Sequence, residues 1–225
     1  MKAYILKKSK REQRMIKVKT HAIIVACLCF AAGCMVNYEV EFRKSMDNEN
    51  YVGAKRLIHN QLSKNAFDFP IEEQQVKAIY RLAFVHGKLS EYDSMKAMLD
   101  TCVVRNNNSQ KARREMLEYF SLDEFNKAVF LYNNYFFDKA ITKLKIAIAI
   151  VGTESPYEEY SAVIFRCLAY AESSNSNIEK ALEYCRSAAK LGDALSKKIL
   201  ADWEKEKKIT PPEKLEPREK PILTI

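Results

Sequence analysis

Residues 125–150, FNKAVFLYNNYFFDKAITKLKIAIAI, decide the fold. Apolar residues recur here at intervals of three and four, which is the period of an amphipathic helix, and a short polar turn interrupts them in the middle. After the turn, Phe137 is followed three residues later by Ala140. A small side chain lets two helices approach, while the aromatic ring fills the gap at their base. The stretch therefore predicts a helical hairpin.

The same arrangement occurs four times along the chain. In each copy an aromatic residue or Ile opens a helix after a polar turn, and a small or slim residue follows three positions later. The pairs are Tyr51 and Ala54, Tyr92 and Met95, Phe137 and Ala140, and Ile178 and Ala181. The second members are 41, 45 and 41 residues apart by number. A repeat of this length predicts stacked helical hairpins, a solenoid in which each unit packs on its neighbours.

The rest of the sequence agrees with an all-α domain over residues 40–203. Gly and Pro are scarce there, and no sustained run alternates as a half-buried strand would. Turn-forming residues cluster at 65–70, 105–110, 151–156 and 173–177, where we expect the helices to end.

Residues 204–225 are rich in proline and charge and predict a flexible, disordered tail. The chain ends in the apolar sequence PILTI, residues 221–225. Three readings of it stay open: a peptide that docks on another protein, a segment that folds back into this chain's own groove, and a chance apolar end.

Two stretches resemble the tetratricopeptide repeat family. Residues 125–150 have its Phe-Asn-x-small opening and its aromatic-x-x-Ala-Ile second helix, and residues 183–200, EYCRSAAKLGDALSKKIL, look like the Sel1-type variant. In that variant Gly192 would end one helix, Asp193 would cap the next, and Leu195 would help to bury its inner face. The repeats here exceed the ~34 residues usual in the family, which implies longer connections.

The resemblance implies that the first helix of each pair lines a concave groove for an extended peptide or a partner helix. Carried over by position, the groove residues are Tyr80, Phe84, Phe125, Val129, Tyr132, Arg166 and Tyr170. Aromatic residues and Arg are the types that anchor protein interfaces. The alternative is that these side chains form the core between repeats, since aromatic residues at helical spacing usually pack inside a fold.

The N-terminal region predicts export. A basic segment precedes HAIIVACLCFAAGCMVN, residues 21–37, and its 15 apolar residues from Ala22 to Val36 are short for a bilayer span, which takes about 20. The order FAAG-C resembles the lipobox of bacterial lipoproteins, which implies a signal peptide over 1–33, lipid attachment at Cys34 and a linker over 34–39. Met15 is a second candidate start. The alternative is an uncleaved, single-span anchor helix.

Charge and motifs exclude several functions. Residues 1–33 hold eight Lys or Arg and one Glu, a net of +7 out of +8 for the whole chain, so the remaining +1 gives no reason to expect nucleic-acid binding. No phosphate loop or HExxH motif occurs, and the part after Cys34 has no CxxC and only His59 and His86. Its three cysteines, Cys102, Cys167 and Cys185, are expected to be buried side chains. We therefore predict that the protein is not an enzyme and that it binds no cofactor or metal.

These observations predict a non-enzymatic lipoprotein of the bacterial cell envelope, facing the periplasm or the cell surface. Its repeats would bind a partner protein or peptide, as a scaffold or assembly factor. The alternative is a lipoprotein whose concave face takes a small ligand or glycan.

Overall fold

In the computed structural model, residues 38–65, 72–106, 109–153, 155–206, 209–221 and 223 are described. Within these residues all regular secondary structure is α-helical, as the sequence predicts. The predicted signal over 1–33 and the lipid attachment site Cys34 lie outside them. Of the predicted linker, residues 38 and 39 belong to a helix. No helix within the described ranges is long and apolar enough to cross a bilayer.

The chain divides into two compact units, Met1–Phe69 and Pro70–Ile225. In the first unit a helical segment, α1 (38–47), is followed by α2 (Tyr51–Asn65). This unit buries Phe42 and the whole of Ala54 and Ile58.

The second unit contains seven helices over its described residues, and each packs against the next in the chain. They are α3 (Glu72–Lys88), α4 (Tyr92–Arg105), α5 (Ser109–Asn133), α6 (Phe137–Val151), α7 (Glu158–Ser174), α8 (Ile178–Lys190) and α9 (Ala194–Glu206). The helices thus form three hairpins, α3–α4, α5–α6 and α7–α8. The single helix α9 packs against the last of them. The predicted breaks at 151–156 and 173–177 are confirmed, and α4 ends at Arg105, where the break at 105–110 is predicted to begin; most of the break predicted at 65–70 lies outside the described residues.

The turns within the hairpins are built alike. Glu49, Ser90, Tyr135 and Ser176 all have positive φ, between 55° and 66°, and they are 41, 45 and 41 positions apart by number. The amide after each one donates to a carbonyl five residues earlier, for example Phe136 to Leu131 at 2.9 Å. This is the Schellman motif, which satisfies carbonyls at a helix end. The repeat period read from the sequence is therefore also the period of the turns.

The last turn follows the prediction from the Sel1-like stretch. Gly192 has a φ of +97°, and the Asp193 carboxylate accepts a hydrogen bond from the Ser196 amide at 2.8 Å, so Asp193 caps α9. Leu195 differs from expectation, because 46% of it is exposed rather than buried.

The four slim positions of the repeat, Ala54, Met95, Ala140 and Ala181, are fully buried. Replacing Ala140 or Ala181 by leucine should force helices apart and lower the free energy of unfolding by about 1–3 kcal/mol, because each site lacks room for the added atoms. Urea denaturation measures this change, and Ala201→Leu at an exposed site of α9 is the matched control. Equal stability of the core and control variants would contradict the hairpin packing.

After α9 the chain differs from the prediction of a disordered tail. Residues 209–221, here called the terminal segment, have no helical structure, and several of them are held by hydrogen bonds to α5 and α7. Ile209 is buried against Ala181 and Leu182 of α8. The segment is held mainly through its main chain, by contacts described below, which the prediction of a disordered tail did not include.

Candidate peptide-binding groove

The terminal segment lies along α5 and runs antiparallel to it. Leu215 meets Asn133 at the C-terminal end of α5, Arg218 meets Asn126 two turns earlier, and Lys220 meets Asp123. Helix α7 borders the same surface through Ser173 and Tyr160. We call this surface of α5 and α7 the groove.

Two asparagines bind the main chain of the segment. The Asn133 amide donates to the Leu215 carbonyl at 2.9 Å and accepts from the Leu215 amide at 2.8 Å. Asn126 makes the same pair of bonds with Arg218, at 2.7 and 2.8 Å. A carboxamide can do this because it carries a donor and an acceptor side by side. Each of the four bonds is worth about 0.5–1.5 kcal/mol net.

The spacing of the two asparagines fits an extended ligand. Asn126 and Asn133 are seven residues apart by number, so they lie on one face of α5 about 10.5 Å from each other along its axis. Leu215 and Arg218 are three residues apart, and three residues of an extended chain span about 9–10 Å. We call Asn126 and Asn133 the asparagine ladder. Its spacing matches that of an extended chain and does not match that of a helical ligand, which rises only about 1.5 Å per residue.

Proline placement in the terminal segment agrees with this geometry. Pro211, Pro212, Pro217 and Pro221 lack amide hydrogens, yet the two amides that the asparagines require belong to Leu215 and Arg218. Each proline fixes φ near −65° and favours an extended residue before it, which reduces the conformational entropy lost on docking. The Pro212 carbonyl also accepts a hydrogen bond from the Tyr132 hydroxyl at 2.7 Å.

Two cationic side chains of the segment find partners in the groove. The Arg218 guanidinium lies 5.6 Å from the ring centroid of Tyr160. Lys220 forms an ion pair with Asp123, and its ammonium lies 5.3 Å from the ring centroid of Tyr119. Cation–π contacts at such exposed positions contribute about 0.5–1 kcal/mol each.

The acidic end of the groove is joined to a buried ion cluster. Asp123 also accepts from Lys127 at 2.8 Å, and Lys127 reaches the neighbouring Glu124 at 2.6 Å. Glu124 is buried and also pairs with Lys143 of α6 at 2.7 Å. Burial by itself raises the pKa of Glu124, but the two lysines outweigh it and lower that pKa below its usual value. The pKa of Asp123 is lowered in the same way, because Lys127 and Lys220 outweigh the effect of burial.

The structure places the predicted groove residues mostly in the interior. Phe84, Phe125, Val129 and Tyr170 are buried, with the Phe84 ring tilted against Phe120 at 5.5 Å between centroids. They occupy the core between helices, the alternative left open above, because large apolar rings contribute most when buried.

The other three predicted residues differ from one another. Tyr132 contacts the terminal segment directly through its hydroxyl. Arg166 is engaged in an ion pair with Asp193. The Tyr80 hydroxyl lies 3.5 Å from the carbonyl of Ala112, and burial raises the pKa of Tyr80 to about 12.

Sequence reasoning missed the residues that hold the segment: Tyr119, Asp123, Asn126, Asn133 and Tyr160. A signal for two of them was present, because asparagine is a poor helix former and two of them seven residues apart mark one helix face. Asn133 lies beside Asn134 in the polar stretch that predicts the turn of this hairpin.

The three cysteines of the second unit are buried free thiols. Burial raises the pKa of Cys102 and Cys185 to about 11 and that of Cys167 to about 12, so all three stay protonated at neutral pH. This agrees with their predicted role as small core side chains. Over the described ranges, no three His, Cys, Asp or Glu residues come together as metal ligands would.

Comparison with known proteins adds little to this geometry. No protein-family model matches the chain, and no curated protein matches it. Among solved structures, the chain is similar to the nearly identical TPR-like repeats of a candidate kinesin light chain from Podosopora anserina. That similarity has 15% sequence identity, covers 76% of this chain and 75% of the other, and has a TM-score of 0.30.

Proposed function

We propose that this chain is a non-enzymatic interaction module whose helical repeats bind an extended segment of a partner protein in the groove on α5 and α7. The observation that carries the proposal is the pair of asparagines that bind main-chain groups of an extended chain in register. Main-chain recognition supplies affinity for many sequences, and nearby side chains then select among them.

We also propose that the module works in the bacterial cell envelope as a lipoprotein. The support is the sequence alone, namely the basic head, the short apolar run and the FAAG-C order that ends at Cys34. Lipid attachment would hold the repeats beside a membrane, where they act as a scaffold or assembly factor.

The asparagine ladder gives the direct test of partner binding. In affinity purification from detergent-solubilised membranes, a partner that is stoichiometric with the wild-type chain should be lost from the Asn126→Ala, Asn133→Ala double variant, because four main-chain bonds disappear. Asn134→Ala is the matched control, since that side-chain amide donates to the Phe130 carbonyl of the preceding helix α5 at 2.7 Å. Equal capture by the double variant and the control would contradict the proposed groove.

Anchoring is tested separately. Cys34→Ser should release the protein from membranes or leave an unprocessed precursor, because the thiol that receives the lipid is gone. Membrane fractionation and intact-mass analysis measure both results. A wild-type chain that carries no lipid and still begins at Met1 or Met15 would favour the uncleaved anchor helix instead.

A further inference from the structure

The terminal segment is bound in a manner that suits a displaceable occupant better than a permanent strap. Ile209 is its buried apolar anchor, Leu215 is half-buried, and the side chains from Glu216 to Lys220 are exposed. A strap that serves only stability would be expected to bury apolar side chains along its length. Here the segment is held by main-chain bonds to two asparagines of α5 and by two cation contacts at the surface, Lys220 with Tyr119 of α5 and Arg218 with Tyr160 of α7.

The contacts to side chains define what the groove selects. Asp123 with the Tyr119 ring takes an ammonium group, and the Tyr160 ring takes a guanidinium three residues after the position of Leu215. The two positions that bind the asparagines must not be proline, because both amides are used. Asp123 already carries a charge that is balanced in part by Lys127, so a second cation completes its pairing.

Resting on the function proposed above, we infer that the partner offers an extended segment with an apolar residue, Arg three positions later and Lys or Arg five positions later. The terminal segment, with Leu215, Arg218 and Lys220, is this chain's own copy of that pattern. It occupies the groove until a partner with the same pattern displaces it. Only residues 207 and 208 separate it from α9, so its effective concentration at the groove is in the millimolar range, about that of a short tether.

The probe is a fluorescent synthetic peptide of residues 211–221, added to the full chain in detergent. Two chains are compared: wild type, and a tail variant with Arg218→Glu and Lys220→Glu, in which the groove is unaltered. Because the tethered competitor is weakened, the peptide should bind the tail variant at least about tenfold more tightly than wild type. In the tail variant, exchange of the main-chain amides at positions 215 and 218 with deuterium should be faster by about the same factor.

Selectivity is read from altered peptides on the tail variant. A peptide with both charges reversed should bind about tenfold or more weakly than the native peptide. Asp123→Asn in the protein and Lys220→Met in the peptide should be non-additive, since each removes the same contact. Asn126→Ala, by contrast, should weaken the native and the charge-reversed peptide by the same factor, because it acts on the main chain.

The outcomes separate this inference from the function on which it rests. If native and charge-reversed peptides bind equally well, the side-chain pattern is overturned while the groove for extended segments stands. If the amides at positions 215 and 218 exchange as slowly in the tail variant as in wild type, the two cations do not hold the segment, and the pattern is again overturned. If the segment is released and no peptide binds, both proposals fail. Formation of dimers in which the tail amides stay protected would make a second copy of this chain the occupant, against the inference.

Discussion

Replacing both Lys127 and Lys143 by methionine is expected to lower the free energy of unfolding by about 3–5 kcal/mol at pH 7, because it leaves the Glu124 carboxylate buried without a cationic partner. The side chain of Glu124 is only 1% exposed, whereas those of Lys127 and Lys143 are 49% and 34% exposed. The two partners are therefore not equivalent. A lysine that loses Glu124 can turn to water, but Glu124 cannot.

Removing the two lysines can be compared with removing the charge of Glu124 itself. Glu124→Gln removes the charge and keeps the shape, so its cost should be smaller, about 1.5–3 kcal/mol, which is the contribution of a hydrogen bond to a charged group. A double substitution of exposed lysines, Lys111→Met with Lys198→Met, should change stability by less than about 0.5 kcal/mol. Chemical denaturation of the three variants measures the order of their free energies of unfolding. A double Lys127, Lys143 variant more stable than Glu124→Gln would contradict this account.

The same cluster predicts that the stability of the wild type and that of the Lys127, Lys143 double variant respond oppositely to pH. In the wild type the pKa of Glu124 is lowered below its ordinary value of 4.5, so the stability it contributes is present above that pH and is lost as the pH falls through the lowered pKa. Without the two lysines, burial raises the pKa of Glu124 instead. The deficit of the variant should then be largest at neutral pH and shrink as the pH falls toward 4. Unfolding curves between pH 7 and pH 4 measure both trends.

The helices were predictable because their determinants are local and repeat. The slim residues Ala54, Met95, Ala140 and Ala181 follow each turn at a fixed distance, and turns and packing share that period. Polar residues between apolar runs then set the helix ends. The buried pairing of Glu124 with Lys143 was not predictable in this way, because its partners come from two helices and 19 positions separate them by number.

The groove residues were predicted on the first helix of each hairpin, α3, α5 and α7, and among them Tyr132 of α5 contacts the terminal segment. Choosing aromatic residues on the first helix of each pair selected Phe84 and Phe125, which point into the core, because core and groove both call for large side chains. The residues that hold a main chain are instead Asn126 and Asn133, whose polarity looks like an ordinary solvated face. A rule based on side-chain hydrophobicity cannot detect a ligand that is recognised through its backbone.

The disordered tail was predicted from composition, which could not reveal the contacts that the terminal segment makes, for a similar reason. Charge and proline content report whether a segment can bury a core of its own, but the terminal segment uses the core of the helices. Its attachment begins at Ile209, which is 4% exposed and packs against Ala181 and Leu182, with Ile178 and Trp203 beside it. One apolar residue in a charged run gives no signal in a composition window.

Ile209→Ala is therefore expected to lower the free energy of unfolding by about 2–5 kcal/mol, the usual cost when a buried Ile is truncated to Ala. Leu195→Ala on α9 is the control, since Leu195 is 46% exposed and should cost less than about 1 kcal/mol. Removing the residues after Glu206 should cost at least as much as Ile209→Ala, whereas a disordered tail could be removed without effect. Urea denaturation of the three chains measures the differences.

The Ile209 variant also separates anchoring from recognition along the segment. The asparagine bonds lie six and nine residues beyond Ile209 by number, so loss of the anchor lengthens the tether without touching the groove. A longer tether lowers the effective concentration only slowly, because loop entropy grows with the logarithm of length. The Leu215 and Arg218 amides should then exchange only a few-fold faster in Ile209→Ala, although the protein is much less stable. If the Leu215 and Arg218 amides lose their protection entirely in Ile209→Ala, the segment docks as one cooperative strap, and the asparagine ladder does not act as a binding site of its own.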